Sequence, residues 1–599
     1  MKPSLLIFLA GLAHATLITN DLSNVVQYSF EFIVIGGGTA GLTVANRLAV
    51  NHTVLVVERG EDMANNEMVN NPCDSPGAGI LSPCFSYLNS TPQTGLNETR
   101  RSLALGYGNC LGGSSSVNGM IAARPTFAGM DAIEALGNSG WESFAIPDPT
   151  QLKEGANHIA AVHRYEGPVG VSFSRPLNAP ALQSIAKNTT QTVFDEEVTL
   201  SPDMGNGFSG GHVSSFYHLI HFNETLQTDR RSSSAWSYLY HPTQQRAGLI
   251  VLTEHRVNSI STTTSASGNI LATGVLVEPT SGGPISVFNA SREIILSAGA
   301  LQSPAILQRS GTGNTSYLRT LGIQPVLNLP GVGSNFQDQI CLPNATFSLA
   351  PFANTTNITA DNNILYGIVV THPTARDVLG RNGSTIMYNL LQNTSSNYTV
   401  SVGGVVNSKS FGTQADAIAN ALRIDQPFIE IYFAPGNQYL TVLSQTVVPL
   451  SRGSIRISTV APSVDPIADP QYLASEGDML AARAVARTIS RIAVTTPFND
   501  LLTENALKDS GIPEVNASED EVRKWVLDTY VANFHFVGSN SMMLKELGGV
   551  ISPQLLVYGT TNLRVVDASI LPSSVIPHPT LGVYGVAEKA ADMILQSIE

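Results

Sequence analysis

The stretch from Phe32 to Glu58 constrains the fold of this chain more than any other. Phe32-Ile33-Val34-Ile35 is an apolar run of the kind that forms a buried parallel strand, and it runs into Gly36-Gly37-Gly38-Thr39-Ala40-Gly41. Thr39 to Leu48 has the spacing of a helix, and Thr53-Val54-Leu55-Val56-Val57 is a second apolar strand ending at Glu58. Gly36 permits a tight turn, Gly38 lets the backbone approach a pyrophosphate, and Gly41 lets the helix pack close to the sheet. The helix start offers free N–H groups and the positive end of its dipole to a phosphate. Glu58 lies 22 residues after Gly36, where a carboxylate accepts the hydroxyls of a ribose. A glycine fingerprint alone is weak. With strand, helix, second strand and acid in register, it predicts a dinucleotide site.

At 599 residues the chain is too long for one compact core, so two or more domains are expected. With 43% hydrophobic and 13% charged residues it reads as folded rather than disordered. A net charge of −14, with no Lys/Arg-rich run, argues against nucleic acid or an anionic membrane as partner. Residues 1–15 read as a signal peptide: Lys2, the apolar run Leu5 to Leu12, then Ala13-His14-Ala15 as a cleavage site. No other stretch is long and apolar enough to span a bilayer, so a secreted, extracellular protein is expected. Sequons at Asn89, Asn97, Asn188, Asn223, Asn289, Asn354 and Asn393 predict N-linked glycans. Of the four cysteines, Cys73 and Cys84 flank a short Pro/Gly-rich loop and are the expected disulfide, with Cys110 buried and free. No metal-ligand spacing occurs.

Residues 106–120 form a second glycine- and serine-rich loop, whose small side chains allow close approach to a flat ligand as readily as they make a plain surface loop. Strand patterns follow at 249–253, 257–263, 271–277, 293–297 and 428–433. Helices are expected over 300–309, 478–494, 519–529 (with Ser518 as N-cap) and 580–598. The dinucleotide unit opens the chain, yet Asp567-Ala568, His578-Pro579-Thr580 and His535 lie near its end. A discontinuous arrangement follows: an α/β (mixed α+β) chain with a Rossmann-like cofactor domain from residues 28–160, 225–335 and 540–599, and a substrate domain with a mixed sheet from 161–224 and 336–539.

These segments, in this order, resemble the glucose–methanol–choline (GMC) oxidoreductase family. The motifs that carry the resemblance are Gly36 to Gly41 with Glu58, Gly112-Gly113-Ser114 to Asn118-Gly119, and Ser297-Ala298-Gly299-Ala300 to Gly311-Thr312-Gly313. Leu329-Pro330-Gly331-Val332-Gly333 to Asp338 and His535…Asp567-Ala568…His578 complete the set. The resemblance covers nearly all of the chain after residue 15 and is nearest to secreted fungal members: aryl-alcohol oxidases, glucose oxidase, patulin synthase and versicolorin B synthase. It implies FAD as cofactor. Thr39, Ala40 and Glu58 would contact the ADP portion, while Ser114, Asn118, Gly119, Met120 and Ile121 would line the pyrophosphate and isoalloxazine. Val257 would hold the adenine end, Asp567 and Ala568 the ribityl-pyrophosphate, and Pro579 and Thr580 the flavin ring. A helix start at Thr580 suits the negative charge of a reduced flavin. The chain departs from the family at Gly538-Ser539-Asn540, where Gly-Thr-Cys is usual, and at Asp338-Gln339, where Asp-His is common. No histidine between 101 and 130 could carry a histidyl flavin link.

The resemblance also implies the chemistry. Oxidising a CH–OH group requires removal of the hydroxyl proton as hydride leaves the carbon, and histidine titrates in the right range to take that proton. His535 is the expected base and His578 its partner, with oxygen or a quinone as acceptor. A small aromatic, furanic or polyketide-derived alcohol is the expected substrate, within secondary-metabolite biosynthesis. A sugar oxidase and a non-redox cyclase or dehydratase that retains FAD are the alternatives.

Overall fold

The computed structural model describes residues 15–71, 82–94, 101–138, 167–172, 180–196, 198–201, 210–215, 217–223, 225–266, 268–351, 368–397, 408–423, 426–436, 438–574 and 577–598. Two large sheets organise them. The first has eight strands. Leu17–Thr19, Leu249–Leu252, Val54–Val57, Phe30–Ile35 and Ser286–Leu296 lie side by side in that order, and Leu563–Val565 adds to the last. All these pairs are parallel, as expected of runs such as Val54-Leu55-Val56-Val57 and Leu249-Ile250-Val251-Leu252 in which every residue is buried. Ser286–Leu296 is long enough to serve twice. Its second half joins the parallel sheet, while its first half pairs antiparallel with Ile270–Pro279, which in turn pairs with His255–Thr264.

Register decides where a ligand can sit. Ile35 is paired with Val57 and with Leu296, and Leu296 with Val565. Gly36, Glu58, Ser297 and Val566-Asp567 therefore leave the sheet along one edge, at the carboxyl ends of the strands, where open α/β sheets bind ligands. Helix Thr39–Leu48 matches its expected bounds, and helix Thr580–Ile598 packs against it. Arg47 pairs with Glu588 at 2.8 Å, tying the two ends of the chain together.

The second sheet has seven strands in the order Val531–Ala532, Ile340–Ser348, Tyr439–Thr446, Ile429–Pro435, Val369–Thr371, His212–Ser215 and Thr199–Leu200, antiparallel except for the last pair. One face is apolar: Ile429, Ile431, Phe433, Leu342 and Val442 share a core with helix Glu476–Val494. Tyr432, on the opposite face, belongs to the core shared with the first sheet. The helix expected from 519 runs Glu519–Thr529, and Ser518 caps it reciprocally with Glu521.

The cysteine pairing corrects the sequence-based expectation. Cys84 is bonded to Cys110, and Cys110 is buried but not free. Strands Phe85–Asn89 and Ala104–Gly108 form an antiparallel hairpin that pairs Phe85 with Gly108, so the residues just outside its open end meet. Cys73 lies outside the described residues. Cys341 is a free, half-buried thiol.

Candidate active site

The dinucleotide turn is built on close contacts that only glycine allows. Gly36 has φ +102°, and a Cβ there would lie 2.5 Å from the Ser297 carbonyl oxygen. A Cβ on Gly41 would sit 2.0 Å from the Gly36 oxygen, so the helix rests directly on the turn. Gly38 differs. Its nearest neighbour on that side is Gly113 at 3.9 Å, which leaves the turn open to a ligand. Glu58 is buried and accepts the Gly37 N–H at 2.7 Å and the Gly60 N–H at 2.8 Å. Burial pushes its carboxyl above the usual range, and the two N–H groups pull the other way.

The second glycine-rich segment is a wall rather than a surface loop. It makes a short 3-10 turn over Gly113–Ser116, with Gly112 at φ +92°. Asn118 Nδ2 donates to Thr580 Oγ1 at 3.2 Å, joining this wall to the start of the last helix. Asp567 accepts the Gly299 N–H at 2.9 Å, Ser303 Oγ at 2.5 Å and the Ser569 N–H at 2.8 Å. Burial raises its carboxyl pKa. Three helix starts, at Thr39, Gly299 and Thr580, face the same groove, which suits a ligand carrying phosphate charge.

The groove is one end of a continuous cavity of about 540 Å³. Gly36, Gly38, Thr39, Ala40, Glu58 and Val257 line its dinucleotide end. Ser114, Asn118, Gly119, Ile121, Asp567 and Ala568 line its middle, and Pro579 and Thr580 lie next to His535 and His578 at the far end. Two expected contacts are absent from its walls. Gly41 supports the turn from behind, and Met120, at φ +61°, turns its side chain into the core with 1% exposure. A carboxylate placed for a ribose diol, an open glycine and three converging helix starts fit an adenine dinucleotide such as FAD.

The two histidines stand edge to face, with ring centroids 4.9 Å apart. They arrive from opposite sides. His578 Nε2 lies 2.8 Å from Tyr432 Oη and 3.0 Å from Glu430 Oε2. Glu430 has no exposed surface, yet its two oxygens also accept His372 Nε2 at 2.7 Å, Tyr432 Oη at 2.6 Å and Gln445 Nε2. Burial alone would raise this carboxyl. The charges of His578 and His372 and their hydrogen bonds outweigh it and hold the group well below the usual carboxylate range. Burial, and next the Glu430 charge, push the Tyr432 hydroxyl well above its ordinary value.

His535 faces the cavity and is half-buried among the surrounding side chains. That desolvation, and next the charge on His578, lower its pKa well below 6.5, while the Glu430 charge and the Pro577 carbonyl act the other way. Asp338 clamps the backbone beneath it, accepting the N–H groups of Asn533 at 3.1 Å, Phe534 at 3.3 Å and His535 at 2.8 Å, and the Tyr472 hydroxyl. The clamp holds Phe534 at φ +63°, a left-handed conformation that costs a non-glycine residue on the order of 1–3 kcal/mol. Burial lifts the Asp338 pKa to about 6 against the pull of these donors.

Sequence reasoning missed Glu430, Gln445 and Asn533. A signal for Glu430 was present. One glutamate inside Phe428-Ile429-Glu430-Ile431-Tyr432-Phe433 is out of place in a buried strand unless partners await it.

The chain matches the GMC oxidoreductase family over residues 30–341 and again over 449–587. A glucose oxidase-like protein, fsoC of Humicola fuscoatra, is 31% identical, over 94% of this chain and 95% of the relative. Glucose oxidase 2 of Penicillium expansum is 29% identical, over 96% of this chain and 94% of its own length. Among solved structures, an FAD-dependent oxidoreductase from Chaetomium thermophilum superposes with TM-score 0.79 at 25% identity, covering 95% of this chain and 100% of that one. A fungal aryl-alcohol oxidase shares the fold with TM-score 0.75 at 23% identity, covering 95% of this chain and 99% of its own. With its groove shaped for an adenine dinucleotide and its likeness end to end, the chain belongs to the GMC oxidoreductase family, whose enzymes use FAD to oxidise alcohols or sugars.

Proposed function

We propose that this protein oxidises a primary or secondary alcohol, with His535 as the base and His578 orienting the hydroxyl. The observation that carries this reading is the pair of imidazoles at the end of the dinucleotide cavity, 4.9 Å apart, one anchored on a buried carboxylate and one kept neutral by its surroundings. FAD bound in the groove supplies the hydride acceptor. His535, neutral above pH 6.5, has a lone pair for the hydroxyl proton. His578, fixed by Glu430 and Tyr432, is placed to hydrogen-bond the substrate oxygen, and the Glu430 charge stabilises positive charge that gathers on the two rings.

The substrate is a small aromatic, furanic or polyketide-derived alcohol, with oxygen as acceptor. Tyr432, which touches His578, its strand neighbour Leu443, and Phe534 and Phe536, which flank His535 in sequence, all line the cavity and support an apolar ring there. The division of the chain into a cofactor domain and a substrate domain follows its two sheets. The protein acts outside the cell and carries N-linked glycans; Asn89, Asn188 and Asn289 are exposed, as acceptor sites must be. Among the described residues, no helix is long and apolar enough to cross a membrane.

The test is anaerobic mixing of the FAD-loaded protein with benzyl, furfuryl and sugar alcohols while flavin absorbance is followed near about 450 nm. Bleaching by an aryl or furfuryl alcohol is the expected result, and readmitted oxygen should restore the colour. Bleaching by sugars alone overturns the substrate assignment. No bleaching by any alcohol, from a flavin that dithionite reduces, contradicts the reading and favours non-redox ring closure.

A further inference from the structure

We propose that Gln339, acting with Asn533, is a positioning residue that selects the tautomer of His535: it holds the ring proton on Nδ1 and leaves Nε2 as the basic nitrogen. The inference rests on the reading of His535 as a base and assigns the residue that makes it one. Gln339 is also where this chain carries an amide in place of the histidine common in its family.

The donors and acceptors around His535 Nδ1 decide the assignment. Gln339 is fully buried, and its Nε2 donates to the Val447 carbonyl at 2.8 Å. That contact fixes the orientation of the amide, because the reversed group would set oxygen against oxygen. Gln339 Oε1 therefore points at His535 Nδ1, 2.6 Å away. Asn533 is fixed independently. Glu430 is an acceptor only, so Gln445 must turn its Nε2 toward it, and Gln445 Oε1 is left to accept Asn533 Nδ2 at 2.6 Å. The second hydrogen of Asn533 Nδ2 goes to Gln339 Oε1 at 3.0 Å, and Asn533 Oδ1 accepts the Cys341 thiol at 2.7 Å.

Asn533 Nδ2 also lies 2.8 Å from His535 Nδ1, but a hydrogen spent there would leave the Nδ1 lone pair facing Gln339 Oε1 at 2.6 Å with no proton between them. The proton between His535 Nδ1 and Gln339 Oε1 can come only from the imidazole. A neutral histidine has one N–H, so Nε2 carries the lone pair. The orientation of one buried carboxylate thus passes through two amides: Glu430 anchors His578 directly and, through Gln445 and Asn533, helps set the proton on His535. An amide suits this position because it accepts at one end while being held at the other.

The test is nitrogen NMR of the FAD-loaded protein labelled with 15N-histidine, in which N–H and lone-pair nitrogens resonate far apart. The His535 signals are identified by their loss in His535→Gln. At neutral pH the wild type should show His535 protonated on Nδ1. Gln339→Leu, which removes the acceptor, should move the proton to Nε2 or give a mixture, and should lower the rate of substrate-driven flavin bleaching by roughly 10²–10⁴, the range of a lost general base. Gln339→Glu, which keeps an acceptor and adds charge, should keep the Nδ1 proton and raise the pH at which His535 takes up its second one. A wild-type His535 protonated on Nε2, or an unchanged tautomer in Gln339→Leu, overturns the proposal. If Gln339→Leu does not fold, an unmoved titration in Gln339→Glu does the same. A purely structural role would lower the melting temperature and leave tautomer and titration in place. Because the NMR needs no alcohol, failure of every alcohol to bleach the flavin would count against the functional reading and leave this result to stand or fall alone.

Discussion

Replacing Glu430 by glutamine should separate catalysis from stability. Glutamine keeps the shape of the side chain and removes its charge. Its oxygen can still accept Tyr432, Gln445 and His578, and its new NH₂ group faces His372, whose ring can present a lone pair in its other tautomer. Four charge-assisted hydrogen bonds become neutral, each weaker by about 1 kcal/mol, for a loss of about 4 kcal/mol. Against this, the chain no longer buries an ionised carboxylate, which itself costs several kcal/mol. Stability should therefore change little. Catalysis has no such compensation. With an effective dielectric constant near 20, a unit charge about 4 Å from positive charge on the imidazole pair contributes about 4 kcal/mol, most of it felt as that charge develops. Glu430→Gln should slow flavin bleaching by roughly 10²–10³ while the melting temperature stays within a few degrees. Glu430→Ala leaves the same donors buried without an acceptor and should lose about 5 kcal/mol of stability. Rapid mixing and thermal melting read the two effects. A Glu430→Gln enzyme that turns over within threefold of wild type, or that melts as early as Glu430→Ala, refutes the reasoning.

Two further outcomes follow from the same structure. Desolvation lowers the pKa of His535 well below 6.5, so the active neutral base persists as pH falls: kcat/KM should stay flat above pH 6.5 and decline only below it. The Glu430 charge supports protonation of His535, so in Glu430→Gln that acid limb should move to still lower pH; a limb above 6.5 in the wild type contradicts the environment described for the ring. Cys84 and Cys110 close a loop over a separation of 26 residues, so reducing the bond or replacing both by serine should lower stability by about 3.5 kcal/mol, read by denaturant unfolding.

The legible and the hidden parts of this protein divide by how local their signals are. The turn from Gly36 to Glu58 could be read directly, because strand, glycines, helix and acid are neighbours in the chain and each has its own physical reason. The helices at 39–48, 300–309, 478–494, 519–529 and 580–598 were legible from apolar spacing, with Ser518 as a cap, whereas Phe127–Ala135, Pro180–Phe194, Gly383–Asn397 and Ser408–Arg423 were not foreseen. His535 and His578 were singled out only through resemblance, since nothing within ten residues of either announces a base. Their partners were less accessible still. Asn533 and Gln339 meet across 194 residues through two amides, and an amide on a strand edge carries no sequence signal. The cysteine pairing failed for a related reason. The hairpin that joins Cys84 to Cys110 runs through a segment whose glycines and serines hide its strand character, so proximity in sequence pointed to Cys73 instead. Met120 sits among residues that line the cavity, yet its left-handed backbone turns it away, and no side-chain pattern foretells that.

The central claim is that His535 removes the hydroxyl proton of an alcohol. It is tested most directly by single-turnover flavin bleaching in FAD-loaded His535→Ala, with the alcohol that best bleaches the wild type. The account predicts a rate lower by roughly 10²–10⁴, with flavin still bound and still reducible by dithionite. A rate equal to that of the wild type would contradict it and move the search for the base to His578.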